Sequence, residues 1–321
     1  MFFAINYMLS VVIPVYNVSN FIDNCIQSIL KQTFTEFEII LVNDGSTDDS
    51  FSKCKEYEKK YSFIKLYDKV NGGVSSARNI GLRYVSGEYV TFMDSDDEIK
   101  SDAFAILMKN IKEHDAEVCA SIVIERDKKP IFISNIKKKI INGEEAINNI
   151  AINNFPISLW LYVYKRELLS GILLNEKIHH LEDLEFQLRV LKRANKIVIN
   201  NHAINIYNNR DGSANNSGFN KKVASALQII NIVELMKKNN EITSNQMNLI
   251  IMRVVLTIAS FLIKFNSYEK EYIKIITRMS RKIFLKIIFS RVDIRKKLYL
   301  FSLSINFKVT RNLYKLIRIE I

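Results

Sequence analysis

Three carboxylates within four residues are the feature of this sequence most able to do chemistry. Asp94, Asp96 and Asp97 follow the apolar run 89–93, which predicts a buried strand. Carboxylates this close repel one another unless a positive charge lies among them. A divalent metal ion is such a charge, because hard cations take oxygen ligands and bridge to phosphates. The alternative is a solvated acidic turn that caps the next helix.

Polar or glycine-containing turns also follow three other predicted strands, at residues 9–15, 37–42 and 63–66. Helices are predicted between these strands, and continuously apolar strands in this alternation indicate a parallel sheet covered on both faces. Ligands bind such sheets at the carboxyl ends of the strands. The residues predicted at those ends are Pro14, Val15, Tyr16 and Asn17; Asn43, Asp44, Gly45 and Ser46; Asn71, Gly72 and Gly73; and Asp94, Ser95 and Asp96.

The composition indicates about two folded domains, since the chain has 321 residues, of which 48% are hydrophobic. Cys25, Cys54 and Cys119 are widely spaced and odd in number, which favours reduced thiols in the cytoplasm. The uncharged first 17 residues lack the features of a signal peptide, and either Met1 or Met8 is a possible start. No transmembrane helix is predicted, because the best candidate, 249–263, is too short.

The net charge of +12 is concentrated near the C-terminus. Residues 261–321 contain 15 Lys+Arg and 4 Asp+Glu, and so carry +11. Within them, 272–289 predict an amphipathic helix with Ile276, Met279, Ile283 and Ile287 on one face and basic residues on another arc. We expect either helices on an anionic membrane surface or a helical cap with a solvated basic face. Nucleic-acid binding is disfavoured, because no recognition motif accompanies the charge.

Four motifs in register make the chain resemble the family 2 glycosyltransferases of the GT-A fold. They are VVIPVYN at 11–17, VNDGSTD at 42–48, NGGVSSARNIGL at 71–82 and GEYVTFMDSDD at 87–97. The resemblance is close over residues 10–98, looser to 213, and absent from the last hundred residues. It implies an α/β GT-A domain with a mostly parallel central sheet. The polar segment 210–217 then separates this domain, at 1–215, from a helical basic domain at 216–321.

The resemblance also implies roles for the strand-end residues. Asp44 would accept a hydrogen bond from uracil, and Gly72 and Gly73 would let the backbone approach the ligand. Asp94 and Asp96 would bind Mg²⁺ or Mn²⁺ at the donor diphosphate. Arg78 would face either the carboxylates or the diphosphate. The other predicted donor contacts are Pro14, Val15, Tyr16, Asn17, Asn71, Ser95 and Arg210.

Asp183 is the predicted catalytic base. Inverting transfer needs a carboxylate close to the acceptor hydroxyl, and Glu182 and Asp183 resemble the family's acidic pair at a helix start. The alternative is that both acids simply favour the helix N-terminus. Two departures from the family pattern are Tyr162, where a lysine is usual, and Asn209, where a tyrosine is usual.

Other residues keep open alternatives. Trp160 is expected either in the core or as an acceptor platform. The histidines are more typical of surface or packing positions than of metal ligands: His179, His180 and His202.

The sequence therefore predicts a metal-dependent, inverting glycosyltransferase that uses a nucleotide-sugar donor, with UDP favoured. Its acceptor would be a hydroxyl of a glycan or a lipid-linked molecule in surface polysaccharide or glycoconjugate assembly, at the inner face of the cell membrane. Nucleotidyl transfer would need a basic phosphate-binding loop, which residues 14–20 lack. An inactive nucleotide-sugar-binding scaffold would have lost its acids, whereas Asp94, Asp96 and Asp183 are present.

Overall fold

The computed structural model describes residues 7–208, 218–290 and 292–317. These divide into two compact units: one comprises 7–146, 155–176 and 182–208, and the other 147–154, 177–181 and the described residues from 218 onwards. The boundary predicted between residues 215 and 216 lies outside the described residues and stays a prediction. The second unit also takes in two short segments that lie within the predicted first domain.

The first unit begins with the predicted strand–helix alternation. Its elements are β1 (Leu9–Val15), α1 (Ile22–Leu30), β2 (Phe37–Asn43), α2 (Ser50–Lys60), β3 (Ile64–Asp68), α3 (Val74–Tyr84) and β4 (Tyr89–Phe92). The four strands are parallel and lie in the order β3-β2-β1-β4, with Leu9 paired to Phe37 on one side and Tyr89 on the other. Every residue of β1 and β2 is buried, as expected for a sheet covered on both faces. The predicted α/β fold class is confirmed.

The remaining elements of the first unit extend this sheet and add a second one. They are β5 (Glu98–Ile99), α4 (Ala103–His114), β6 (Val118–Ser121), β7 (Val123–Arg126), β8 (Lys129–Phe132), β9 (Ile140–Ile141), α5 (Gly143–Ala151, which runs into the second unit), β10 (Tyr162–Lys165), α6 (Glu182–Leu191), β11 (Ile197–Asn200) and β12 (Asn205–Ile206). The larger sheet has the order β3-β2-β1-β4-β10-β6-β11-β9, and β10 is antiparallel to both neighbours. The smaller has the order β5-β12-β7-β8. One strand was predicted at 116–125, but β6 and β7 belong to different sheets, because Ile122 instead bonds Asn200 and Ile133.

Close packing fixes α3 on the large sheet. A Cβ atom at Gly81 would lie 2.3 Å from Cγ1 of Val12 in β1, so only glycine allows this approach. The buried face of α3 includes Arg78 and Asn79. The glycine therefore sets the position of the arginine described below.

The second unit is helical. Its helices are α7 (Lys221–Ala224), α8 (Gln228–Lys238), α9 (Ser244–Lys264), α10 (Lys270–Ile287), α11 (Ile294–Ile305) and α12 (Phe307–Ile317). Thr243 and Gln246 form a capping box that starts α9. With 21 residues, α9 is longer than the sequence predicted, and it is the one described helix long and apolar enough to cross a membrane. Because 78% of its most apolar window is buried inside the protein, it has the character of a core helix.

The apolar face predicted for α10 packs inside the helical unit. Ile276, Ile283 and Ile287 have no exposed surface. These three side chains are therefore covered by protein, since periodicity locates an apolar face without showing what covers it, and a membrane contact of the basic helices stays a prediction.

Candidate active site

The turns after β1 and β2 are joined at one edge of the sheet. The backbone N–H of Asp44 donates to the carbonyl of Val15 at 2.8 Å, and Oδ1 of Asn17 accepts from the backbone N–H of Thr47 at 2.8 Å. Asn17 has a φ of 49°, a left-handed conformation that asparagine tolerates. The ring of Tyr16 is about half exposed beside them. Of the predicted base-pocket residues, Tyr16 and Asn17 are therefore exposed in this turn, whereas Pro14 and Val15 are the buried last residues of β1.

Asp44 organises the loop after β3. Its carboxylate accepts from Nζ of Lys69 at 2.6 Å and from the backbone N–H groups of Gly72 and Gly73 at 2.9 and 2.7 Å. The side-chain amide of Asn71 donates to the Asp44 carbonyl at 2.9 Å. The side chain of Asp44 is almost fully buried. Asp44 thus joins two of the predicted motifs, and Lys69, which the sequence analysis missed, is its ion-pair partner.

The acidic turn after β4 is held by Asn208. Asp97 is buried, and its Oδ1 accepts from the backbone N–H of Asn208 at 3.0 Å. The side-chain amide of Asn208 donates to the Asp96 carbonyl and to Oε1 of Glu98, both at 3.2 Å. Asp94 and Asp96 keep partly exposed side chains. Sequence analysis assigned no role to Asn208, whose only signal was its place next to Asn209, where the family usually has a tyrosine.

Asp94 and Asp96 fit one mode of divalent metal binding. The negative charge of this turn affects the neighbouring Cys25. Burial raises the pKa of Cys25 well above its usual value, and the carboxylates of Asp97, Asp96 and Asp94 raise it as well. In the part of the chain that the structure describes, no group of three or more His, Cys, Asp or Glu side chains is arranged to hold a metal. However, Mg²⁺ is usually bound through one or two carboxylates, with substrate phosphates and waters completing the shell. Asp94 and Asp96, two partly exposed carboxylates separated by a single residue, match that mode.

Arg78 bridges the acidic turn and the predicted base. Its NH2 lies 2.9 Å from Oδ1 of Asp94, and its NH1 lies 2.8 Å from Oδ1 of Asp183 and 3.6 Å from Oε1 of Glu182. Only 4% of the Arg78 side chain is exposed. Burial opposes its charge, but Asp183, Asp94 and Glu182 outweigh this effect and raise the pKa of Arg78. Of the two orientations expected, Arg78 therefore faces the carboxylates.

Asp183 lies in the first turn of α6 and is fixed from two sides. Besides Arg78, the backbone N–H of Leu159 donates to its Oδ2 at 3.3 Å from a 3₁₀ turn at Leu159–Leu161. The pKa of Asp183 is raised to about 7, chiefly by burial and also by Glu182 and Asp94, which together outweigh the lowering effect of Arg78. A carboxylate that titrates near neutral pH is suited to accept a proton as a general base.

The aromatic residues at the start of β10 and just before it belong to the core. The hydroxyl of Tyr162 donates to the Pro156 carbonyl at 2.5 Å, and its ring stacks on Tyr164. Tyr162 therefore does not replace the donor contact of the family's usual lysine. Trp160 is 8% exposed, and its ring stacks on that of Tyr207 with 6.4 Å between the ring centroids. Of the two roles expected for Trp160, the structure therefore favours a core position.

The remaining sequence candidates are Arg210 and the three histidines. Arg210 lies outside the described residues. His179 belongs to the second unit and lines an open cavity of about 430 Å³. The His180 ring packs on Phe261, and burial lowers the pKa of His180. His202 is exposed.

Comparison with known proteins gives several related sequences. The model of glycosyl transferase family 2 matches residues 10–173. The uncharacterized glycosyltransferase EpsJ of Bacillus subtilis (strain 168) is 30% identical over 214 residues, which are 64% of this chain and 62% of that protein. Glycosyltransferase GlyA of Streptococcus pneumoniae serotype 4 is 34% identical over 217 residues, 64% of this chain and 31% of that protein. The minor teichoic acid biosynthesis protein GgaB of B. subtilis is 40% identical over 149 residues, 46% of this chain and 15% of that protein. The chain therefore spans less than two thirds of each of these relatives.

Solved structures share the fold over almost the whole chain. The crystal structure of S. aureus TarS 1-349 in complex with UDP-GlcNAc has a TM-score of 0.74 at 21% identity, covering 97% of this chain and 91% of that one. The mannosyltransferase PcManGT from Pyrobaculum calidifontis, in complex with GDP-Man and Mn²⁺, has a TM-score of 0.53 at 13% identity, covering 98% and 88%. At these identities the likeness concerns the fold.

Proposed function

Because the chain belongs to glycosyl transferase family 2, we propose that it transfers a sugar from a UDP-linked donor to a hydroxyl group of an acceptor, with inversion. The observation that carries this proposal is the bridge made by Arg78 between Asp94 and Asp183. Inverting transfer needs a site for the leaving diphosphate and a base for the acceptor hydroxyl. A single buried guanidinium connects the residues proposed for these two tasks.

The donor would bind at the carboxyl edge of the parallel strands. Tyr16 and Asn17 are exposed there for contact with the nucleoside. Asp44 keeps the loop with Gly72 and Gly73 in place, because its two carboxylate oxygens accept hydrogen bonds from their backbone N–H groups. UDP is favoured because TarS, which shares the fold, has been crystallised with UDP-GlcNAc and with UDP.

Asp94 and Asp96 would hold Mg²⁺ or Mn²⁺, which when bound neutralises charge on the leaving diphosphate. The chain's own residues do the rest of the work. Asp183 accepts the proton from the acceptor hydroxyl, and Arg78 holds that carboxylate in place. The Leu159 N–H, bound to the other oxygen of Asp183, limits its rotation.

The acceptor class is proposed from the relatives. GgaB is described as a minor teichoic acid biosynthesis protein. We place the acceptor among the hydroxyl groups of surface polysaccharides or glycoconjugates, including lipid-linked ones.

A donor panel tests this proposal. The purified chain is incubated with UDP- and GDP-linked sugars and Mg²⁺ or Mn²⁺, with and without glycan acceptors, and released nucleoside diphosphate is measured. We expect release from a UDP-sugar and its loss on metal removal. Absence of release from every donor would contradict catalysis and favour the nucleotide-sugar-binding scaffold.

The variant Asp183→Asn tests the base. We expect transfer to fall by about 10²–10⁴-fold, while UDP binding measured by calorimetry stays within about twofold. Glu113→Gln is the control, because Glu113 is an exposed carboxylate on α4 that pairs with Lys109 of the same helix, at 3.6 Å. Full transfer by Asp183→Asn would remove Asp183 from the mechanism.

A further inference from the structure

Helix α11 has two apolar faces, and only one of them is covered. Its buried face consists of Tyr299, Leu300 and Leu303. Its exposed face carries Ile294, Leu298, Phe301 and Ile305. Spacings of four, three and four residues place these exposed side chains in one stripe, on the opposite side of the helix from Leu303.

The end of α10 continues this exposed surface. Leu285 is 75% exposed and Phe289, just beyond the helix, is 98% exposed. The two helices are in contact, because the rings of Phe284 and Phe301 lie 5.0 Å apart. Nζ of Lys297 in α11 also donates to the carbonyl of Ile288 at 2.8 Å. The large exposed apolar side chains of these two helices thus form one surface, here called the apolar ridge: Leu285, Ile288, Phe289, Ile294, Leu298, Phe301 and Ile305.

Basic residues border the apolar ridge. At 100° per residue, the face of α10 that carries Leu285 and Phe289 also carries basic side chains further towards its N-terminus. They are Lys274, Arg278, Arg281 and Lys282, all of them exposed. From Tyr272 to residue 317 the sequence contains a single acidic residue, Asp293, and its carboxylate pairs with Arg295 at 3.2 Å. Glu271 lies on the same face of α10, and Lys282 pairs with Glu234 of α8 at 2.8 Å, so the border of the ridge owes its net positive charge to Lys274, Arg278 and Arg281.

We propose that the apolar ridge docks on an anionic membrane surface. Its apolar side chains would enter the boundary between headgroups and acyl chains, and the basic residues would meet the headgroup phosphates. A contiguous apolar surface of this kind is uncommon on a monomer that binds nothing. A second copy of the chain is a poorer partner, because each copy brings the same positive charge and the two surfaces repel. The docking face is the side of α10 opposite to the one that sequence periodicity predicted.

Vesicle flotation of the full chain tests the proposal. We expect the chain to float with vesicles of phosphatidylcholine and phosphatidylglycerol, to float weakly with phosphatidylcholine alone, and to dissociate as salt is raised. Phe289→Ser should lower partitioning by at least about tenfold. Lys274→Gln and Arg278→Gln should each lower it roughly fivefold, on anionic vesicles only.

Leu235→Ser is the matched control, because Leu235 is a 57% exposed apolar residue on α8, outside the ridge. It should float like the unmodified chain. Equal flotation of Phe289→Ser and Leu235→Ser would overturn the proposal. It would also be overturned if the unmodified chain bound neither kind of vesicle. Concentration-dependent dimerisation without vesicles, abolished by Phe289→Ser, would also overturn it by assigning the ridge to a second copy. Flotation does not depend on transfer, so this test is separate from that of the proposed function.

Discussion

Replacing Arg78 by methionine should destabilise the first unit by about 3 kcal/mol at neutral pH. Methionine keeps the unbranched apolar stem but leaves three carboxylates without their shared cation. Removing one partner of a buried ion pair costs about 3–5 kcal/mol. The lower end applies because the side chain of Asp94 is 30% exposed and that of Asp183 is 17% exposed, so water screens part of the remaining charge.

The stability lost in Arg78→Met should be greater at higher pH. Arg78 lowers the pKa of Asp183, so its removal raises that pKa further above the value in the unfolded chain. The folded variant then binds more protons than the unfolded one, and its stability falls as pH rises. Below about pH 7 Asp183 is mostly protonated in the folded unmodified chain as well, so its contribution to the loss should disappear there and grow as pH rises above about 7.

Urea denaturation at several pH values measures this loss. The sequence contains one tryptophan, Trp160, which lies in the first unit, so its fluorescence reports the unfolding of that unit. Arg83→Met is the control, because Arg83 is exposed on the same helix and its replacement should change stability by less than about 0.5 kcal/mol. A loss for Arg78→Met below about 1 kcal/mol at pH 7, or an equal loss at acidic and alkaline pH, would refute the ion-pair argument.

Three further predictions concern packing, a turn and catalysis. Gly81→Ala should lose about 1–3 kcal/mol in the same denaturation assay, because its Cβ would lie 2.3 Å from a methyl group of Val12; unchanged stability would contradict this contact. Burial by itself would raise the pKa of Asp48, but hydrogen bonds from two serines outweigh burial and lower this pKa to about 2. Asp48→Ala should therefore cost about 1 kcal/mol at pH 7, and the cost should disappear as pH falls towards 2; a cost that persists there would exclude the carboxylate as its source. Nucleoside diphosphate release should fall about tenfold per pH unit below about pH 7, because the pKa of Asp183 is raised to about 7 and a protonated carboxyl cannot act as the base. A rate of release that does not change between pH 5 and 7 would exclude Asp183 as the base.

Local sequence determined the central architecture. The bounds of β1 agree with the prediction, because a short β-branched run flanked by turn residues forms a strand wherever it is buried. The motif residues also follow the strands as expected, since the carboxyl ends of parallel strands share one edge of a sheet. Helix caps were less predictable: α1 begins after Phe21, which makes no side-chain cap, although Ser19 and Asn20 precede it.

Tertiary structure decided which residues meet. Arg78 contacts Asp94, 16 residues away, and Asp183, 105 residues away, and Asn208 holds the acidic turn from 111 residues beyond Asp97. Contacts at such separations follow from the order of strands in a sheet, which periodicity does not contain.

The helical unit shows the same limit for surfaces. The spacing of apolar residues in α10 identified its apolar face, yet Ile276 and Ile283 are buried while Phe289 is exposed. Hydrophobic periodicity records that a face avoids water. Whether a neighbouring helix or a membrane covers that face depends on how the helices pack, because packing alone determines which apolar surface is left over.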